Sequence, residues 1–122
     1  MNSELVLGGD YYVGDLVVGQ EQRVGTIKID GITYNRYVKI IDFGALPDNA
    51  SKTVAHGITG VVGWLNCKVT ATSNVSTAGI TIAYSTNTAI TCYCNSSYVY
   101  VDTMDNYSTR YTSSYAMLEY YK

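Results

Sequence analysis

Charge is scarce in this chain. Only 15% of its 122 residues are charged, and the formal net charge is -2, against the usual quarter in globular proteins. No basic cluster exists to neutralise phosphates, so nucleic-acid binding is disfavoured. Histidine occurs once, as His56. A Ser-His-Asp triad would have to use it, and no Gly-x-Ser-x-Gly elbow is present to accompany it. No run approaches the roughly 20 apolar residues of a membrane-spanning helix, so membrane insertion is not expected. The opening MNSELVLGGD lacks a basic n-region and a long apolar stretch. The expectation is a soluble chain made without a secretory signal, or a piece of a longer one. A 3.6-residue apolar stripe is missing too, which argues against helices.

Cysteine is limited to Cys67, Cys92 and Cys94, an odd set. Cys92 and Cys94 flank Tyr93 in an extended stretch, so they share a face but lie too far apart for an easy bond. Their spacing matches no zinc motif. Three reduced, half-buried thiols are expected, with one disulfide as the lesser alternative and a metal site as the least. No cofactor is expected.

Hydrophobic residues make up 47% of the chain, enough for one core at this length. The polar surface must come from Ser, Thr, Asn and Tyr, which suits neutral partners such as sugars. Thirteen tyrosines dominate the aromatic set. β-Branched and aromatic residues recur in short runs. Residues 23–30 (RVGTIKID) and 32–43 (ITYNRYVKIIDF) flank Asp30-Gly31, a strong hairpin signal because both turn positions tolerate positive φ. Tyr37, Lys39 and Ile41 should share one face of the second run, with Tyr34, Arg36, Val38 and Ile40 on the other. Residues 52–58, 61–72, 79–84, 88–95, 98–103 and 111–121 also read as extended. In residues 61–72 strict alternation places Trp64 with Asn66, Lys68 and Thr70, opposite Cys67, Val69 and Ala71. A lone Trp there is more often core than a sugar platform. Roughly seven or eight short strands with regular turn signals imply an all-β, antiparallel β-sandwich of jelly-roll type. Residues 20–122 form that domain, and residues 1–19 an N-terminal arm or linker.

DFGALPDNASKTVAHGI, residues 42–58, contains the chain's only Phe, Pro and His. Its DFG lacks the glycine-rich loop, strand lysine and catalytic-loop Asp that a kinase requires. The stretch reads instead as a strand end and a structural turn, with Phe43 buried and Gly44 and Pro47 bending the chain. His56 reads as a hydrogen-bonded structural residue, a ligand role being the lesser alternative. Asp102, Asp105 and Asn106 are the densest acidic group, but not at EF-hand spacing, and read as turn formers. The Asn-x-Ser sites at Asn49, Asn74, Asn95 and Asn106 read likewise.

These residues carry a resemblance. Glu21, Val24 and Gly25, the Asp30-Gly31 hairpin, Tyr34 and Arg36, the run from Phe43 through Leu46, Pro47, Asn49, Lys52, Val54 and His56 to Ile58, and the closing Leu118, Glu119, Tyr120 and Lys122 resemble the C-terminal head domains of tailed-phage or prophage tail fibres. The likeness spans about residues 20–122, and residues 66–97, with the cysteines, have no counterpart in it. It implies a homotrimeric, non-enzymatic receptor-binding head in the virion, made in the bacterial cytoplasm. Its partners would be other tail proteins and a bacterial surface polysaccharide or protein. Binding is expected in polar loops and neighbouring aromatics: Tyr98, Tyr100, Asp105, Asn106, Tyr107 and Arg110, with tyrosines stacking on sugar rings and Asp105, Asn106 and Arg110 bonding hydroxyls. The rival readings are a carbohydrate-binding module with an aromatic platform including Trp64, and a purely structural virion protein.

Overall fold

Asp30 and Gly31 take φ of 50° and 79°, the left-handed pair that a two-residue hairpin turn requires. They join β1 (Gln22–Ile29) to β2 (Ile32–Asp42), with Ile29 opposite Ile32. The computed structural model describes residues 15–85 and 90–122. Six more strands follow: β3 (Ser51–Ala55), β4 (Gly63–Thr72), β5 (Gly79–Ile82), β6 (Ile90–Cys94), β7 (Tyr98–Thr103) and β8 (Ser113–Tyr121). They form a five-stranded sheet ordered β1-β2-β8-β4-β5 and a three-stranded sheet ordered β3-β7-β6. All the pairings are antiparallel, and no helix occurs among the described residues. The expected turn between β5 and β6 falls largely outside the described residues, as does most of the expected arm.

The two sheets enclose one core. Ile41, Val69, Ala71, Ala116, Leu118 and Tyr120 come from the larger sheet, and Cys92, Val99 and Val101 from the smaller. In β7 each buried residue alternates with a more exposed one, the period-2 signature of a half-buried strand. Tyr37 stacks on Tyr120 with ring centroids 5.8 Å apart, on the face it shares with buried Ile41 as alternation implies.

β4 departs from strict alternation. The β4–β8 register shifts between Trp64 and Asn66, so Leu65 is an extra, exposed residue. A bulge of this kind reverses the face of everything before it. Trp64 therefore joins Cys67, Val69 and Ala71 on the inner side, against Tyr120, and not Asn66 and Lys68 as alternation implies. A similar shift between Arg23 and Gly25 marks β1, where Gly25 at φ 139° lies against the Arg36 guanidinium. Arg36 pairs with Glu119 at 2.7 Å, and Glu21 accepts from the Tyr120 hydroxyl and from Lys122 Nζ at 3.1 Å. The two ends of the described chain are thus joined. Residues 15–19 are tied down as well, by Gly19 N to Ile40 O at 2.7 Å and Gln22 Nε2 to Asp15 O at 2.6 Å.

Residues 43–50 form a strap from β2 in one sheet to β3 in the other. Such a crossing buries backbone polar groups, each of which must find a partner. Phe43 N and Gly44 N both donate to Ser114 O, and Ser114 Oγ donates to Gly44 O at 2.6 Å. Leu46 N donates to Tyr111 O, while Pro47 O accepts from Thr103 Oγ1 at 3.1 Å and Tyr107 N at 3.3 Å. Lys52 Nζ reaches in from β3 to Phe43 O and Ala45 O, 2.7 Å each, and lies 5.0 Å from the Phe43 ring centroid. Phe43 and Leu46 are buried beneath it. Each fully buried apolar side chain of this size contributes about 1.5–3 kcal/mol.

Candidate functional site

Alternation in β7 sends Val99, Val101 and Thr103 inward and turns Tyr98, Tyr100 and Asp102 to the outer face of the small sheet. In β6 Cys92 is buried and Tyr93 points outward, directly opposite Tyr100. The two rings stack, with centroids 4.7 Å apart and planes within 7°. Tyr98 meets Tyr100 edge-on at 6.1 Å, and Tyr84 meets Tyr93 edge-on at 6.4 Å. Tyr84, Tyr93 and Tyr98 retain 66%, 38% and 43% of their surface. On the other flank β3 presents only Ser51, Thr53 and Ala55 beside Asp102, Tyr100 and Tyr98, so nothing bulky overhangs the rings.

Polar groups rim this face. Asn95 Nδ2 donates to the Tyr100 hydroxyl at 3.0 Å. Asn95 Oδ1 accepts from Ser97 N and Tyr98 N, both at 2.8 Å, which sets the β6–β7 turn and the start of Tyr98. Ser51 Oγ donates to the Asp102 carboxylate. The Tyr93 hydroxyl is raised above its ordinary value, first by desolvation and then by the nearby Asp102 charge. Flat apolar rings with hydroxyl, amide and carboxylate groups at their margins can stack on the C–H face of a sugar and bond its hydroxyls.

A cleft of about 440 Å³ adjoins the face, bounded by the loop at Ile58–Val62 together with Trp64, Asn95 and Ser96. A second hollow of about 300 Å³ continues past Ser96 to Tyr98. Under the loop lies His56, fully buried. Its Nδ1 accepts from Ile58 N at 3.0 Å, which places the ring proton on Nε2, the donor to Asn95 O at 2.8 Å. Trp64 packs edge-on to His56 and Tyr120, 5.6 Å from each. Trp64 is a wedge in the core with one side on the cleft, and His56 holds the residue that organises the tyrosine face.

The binding residues expected from sequence divide into two groups. Tyr98 and Tyr100 lie on the tyrosine face. Asp105, Asn106, Tyr107 and Arg110 lie beyond the far end of β7, roughly 20 Å along the strand at 3.3 Å per residue. There Asp105, Asn106 and Tyr107 serve the strap, and Arg110 the turn after β4. Asn106 bridges to Asp48, and its Oδ1 accepts from Ser108 N at 2.9 Å. Asp105 O accepts from Asn49 N, Tyr107 lies tilted against Tyr111 with ring centroids 6.1 Å apart, and Arg110 O accepts from Asn74 N. Tyr93, Tyr84 and Asn95 were not among the expected binding residues. The period-2 pattern puts Tyr93 on the face opposite Cys92 and Cys94, but its outward direction and its pairing with Tyr100 depend on which strands become neighbours.

The three cysteines are free thiols, Cys92 buried and the other two half-buried. Among the described residues no group of three or more His, Cys, Asp or Glu is placed to hold a metal. No helix among them is long and apolar enough to cross a membrane. No known family, curated protein or solved structure matches the chain.

Proposed function

We propose that the chain is a non-enzymatic receptor-binding head of a tail fibre, a jelly-roll homotrimer carried on the virion, which holds a bacterial surface glycan on its tyrosine face. The observation that carries this reading is the tyrosine cluster on the outer face, where Tyr93 stacks on half-buried Tyr100 and exposed Tyr84 and Tyr98 pack edge-on, unobstructed on the β3 side. Aromatic faces of this size left in water are characteristic of recognition surfaces. The low charge of the chain favours a neutral ligand.

Two further observations support the reading. The residues of the family resemblance form contacting sets: Glu21 with Tyr120 and Lys122, Gly25 with Arg36, and Phe43 with Lys52. Leu16, Val17, Val18 and Ile32 are left exposed on the single chain, the kind of surface that neighbouring subunits would cover. Size exclusion with light scattering, followed by capture of bacterial cells, tests the proposal. A trimer that retains cells is expected. A strict monomer that binds no cell would reject it. The same tyrosine face also suits a carbohydrate-binding module, and a monomer that binds a soluble oligosaccharide would favour that second reading.

A further inference from the structure

Cys67, Cys92 and Cys94 come from opposite sheets and meet at one corner of the sandwich. Cys67 packs onto the core from β4, beside Val69 and opposite Leu118. Cys92 and Cys94 point into the core from β6, on the side away from Tyr93. Facing sheets ordinarily lie about 10 Å apart, a gap no disulfide spans. At this corner the sheets converge. Cys92 N donates to Ala83 O, just past β5, at 3.2 Å, and β4 and β6 bring Cα atoms within 8 Å of one another. The three thiols lie close enough to perturb one another's ionisation. Cys92 and Cys94 are alternate residues of one strand, roughly 6–7 Å apart along it, and cannot easily bond to each other.

We propose that Cys67 is the shared partner of a sheet-to-sheet disulfide, closing onto Cys92 or Cys94 when the chain meets hydrogen peroxide or a small-molecule disulfide. With peroxide, a thiolate attacks one oxygen, becomes a sulfenic acid and releases hydroxide. The second thiol attacks the sulfenic sulfur, the S–S bond forms, and the oxygen leaves as water. Two thiols lose two electrons, and the peroxide ends as two waters. With a small disulfide, exchange transfers the bond and releases two small thiols. The Cys67 contact lowers Cys92, and the same contact pushes Cys67 up to about 12. Contact with Cys67 and then burial push Cys94 up as well. Cys94 can still exchange into a Cys67–Cys92 bond by attacking the Cys67 sulfur and expelling the Cys92 thiolate. Either bond ties β4 to β6, the strand that carries Tyr93, and the proposal stands apart from the glycan reading.

The experiment oxidises the full chain in its native state with hydrogen peroxide or glutathione disulfide. Thiol titration, intact mass and peptide mapping follow. One remaining thiol, loss of two hydrogens from the monomer mass, and a peptide joining Cys67 to Cys92 or Cys94 are expected. The melting temperature should rise by about 10 °C over the reduced protein, from closing a loop of this length. Cys67→Ser should abolish the cross-link. The wild-type peptide map decides the question if that variant fails to fold. Three thiols persisting after oxidation, a bond only between Cys92 and Cys94, or bonds only between chains would overturn the proposal.

Discussion

Residues 43–58 and the outer face of β6 and β7 use their side chains in opposite ways. The first region holds the chain's only Phe, Pro and His, and all of them face inward or shape the backbone. The second is built from tyrosine, the commonest aromatic here, and faces water. The rare residue types here serve architecture, whereas tyrosine serves both the core, as Tyr120 and Tyr37, and this outer face. The two regions touch at one point. His56, at the end of the strap and β3, bonds the carbonyl of Asn95, whose side chain sets Tyr98 and Tyr100.

Substitutions should separate the two regions. Phe43→Ala removes a buried ring and leaves a cavity under the strap, so a loss of about 3–5 kcal/mol is expected in urea unfolding. His56→Ala leaves Ile58 N and Asn95 O without partners and should cost about 2–4 kcal/mol. It is also the strap-side change expected to weaken binding, through Asn95. Lys52→Met keeps the stem but takes the Lys52 partner from two part-buried carbonyls, for about 1–3 kcal/mol. Tyr93→Ala should shift stability by no more than about 1.5 kcal/mol, the value of a stacked aromatic pair. A loss of stability from Tyr93→Ala as large as that from Phe43→Ala would erase the contrast.

A pH titration sharpens it further. Buried Tyr120 is held above its ordinary value of 10, first by burial and then by the Glu21 carboxylate that accepts its hydrogen bond. A raised folded-state value means the folded protein keeps this proton more tightly than the unfolded chain. That stability is fully present below pH 10 and is lost as pH rises from there toward the folded value. Thermal melts between neutral pH and the alkaline range should show this decline, and Tyr120→Phe should flatten it.

Much of the architecture was legible in the residues. Asp30-Gly31 specified the first hairpin, alternation specified which residues of β2 share a face, and the turn chemistry of residues 43–51 specified a structural bend. The bulge at Leu65 was not legible. Nothing in VVGWLNCKVTAT breaks the alternation, and the face of Trp64 is decided by its fit against Tyr120 from β8 and His56 just past β3. The division of the expected binding residues was hidden for a similar reason. Residues 98–110 are adjacent in sequence, but an extended strand carries Tyr98 and Arg110 to opposite ends of the sheet. The tyrosine face itself is a cross-strand feature, assembled by the register that sets Tyr93 against Tyr100.

The most direct measurement is a binding titration of the Tyr93→Ala/Tyr100→Ala double variant beside the wild-type protein. The probe is surface polysaccharide extracted from cells that the wild-type protein captures, and melting curves are recorded on the same samples. The account predicts at least about a tenfold loss of affinity, as for aromatic anchors at recognition sites, with a folded variant that melts cooperatively. Unchanged affinity in that folded variant would contradict it.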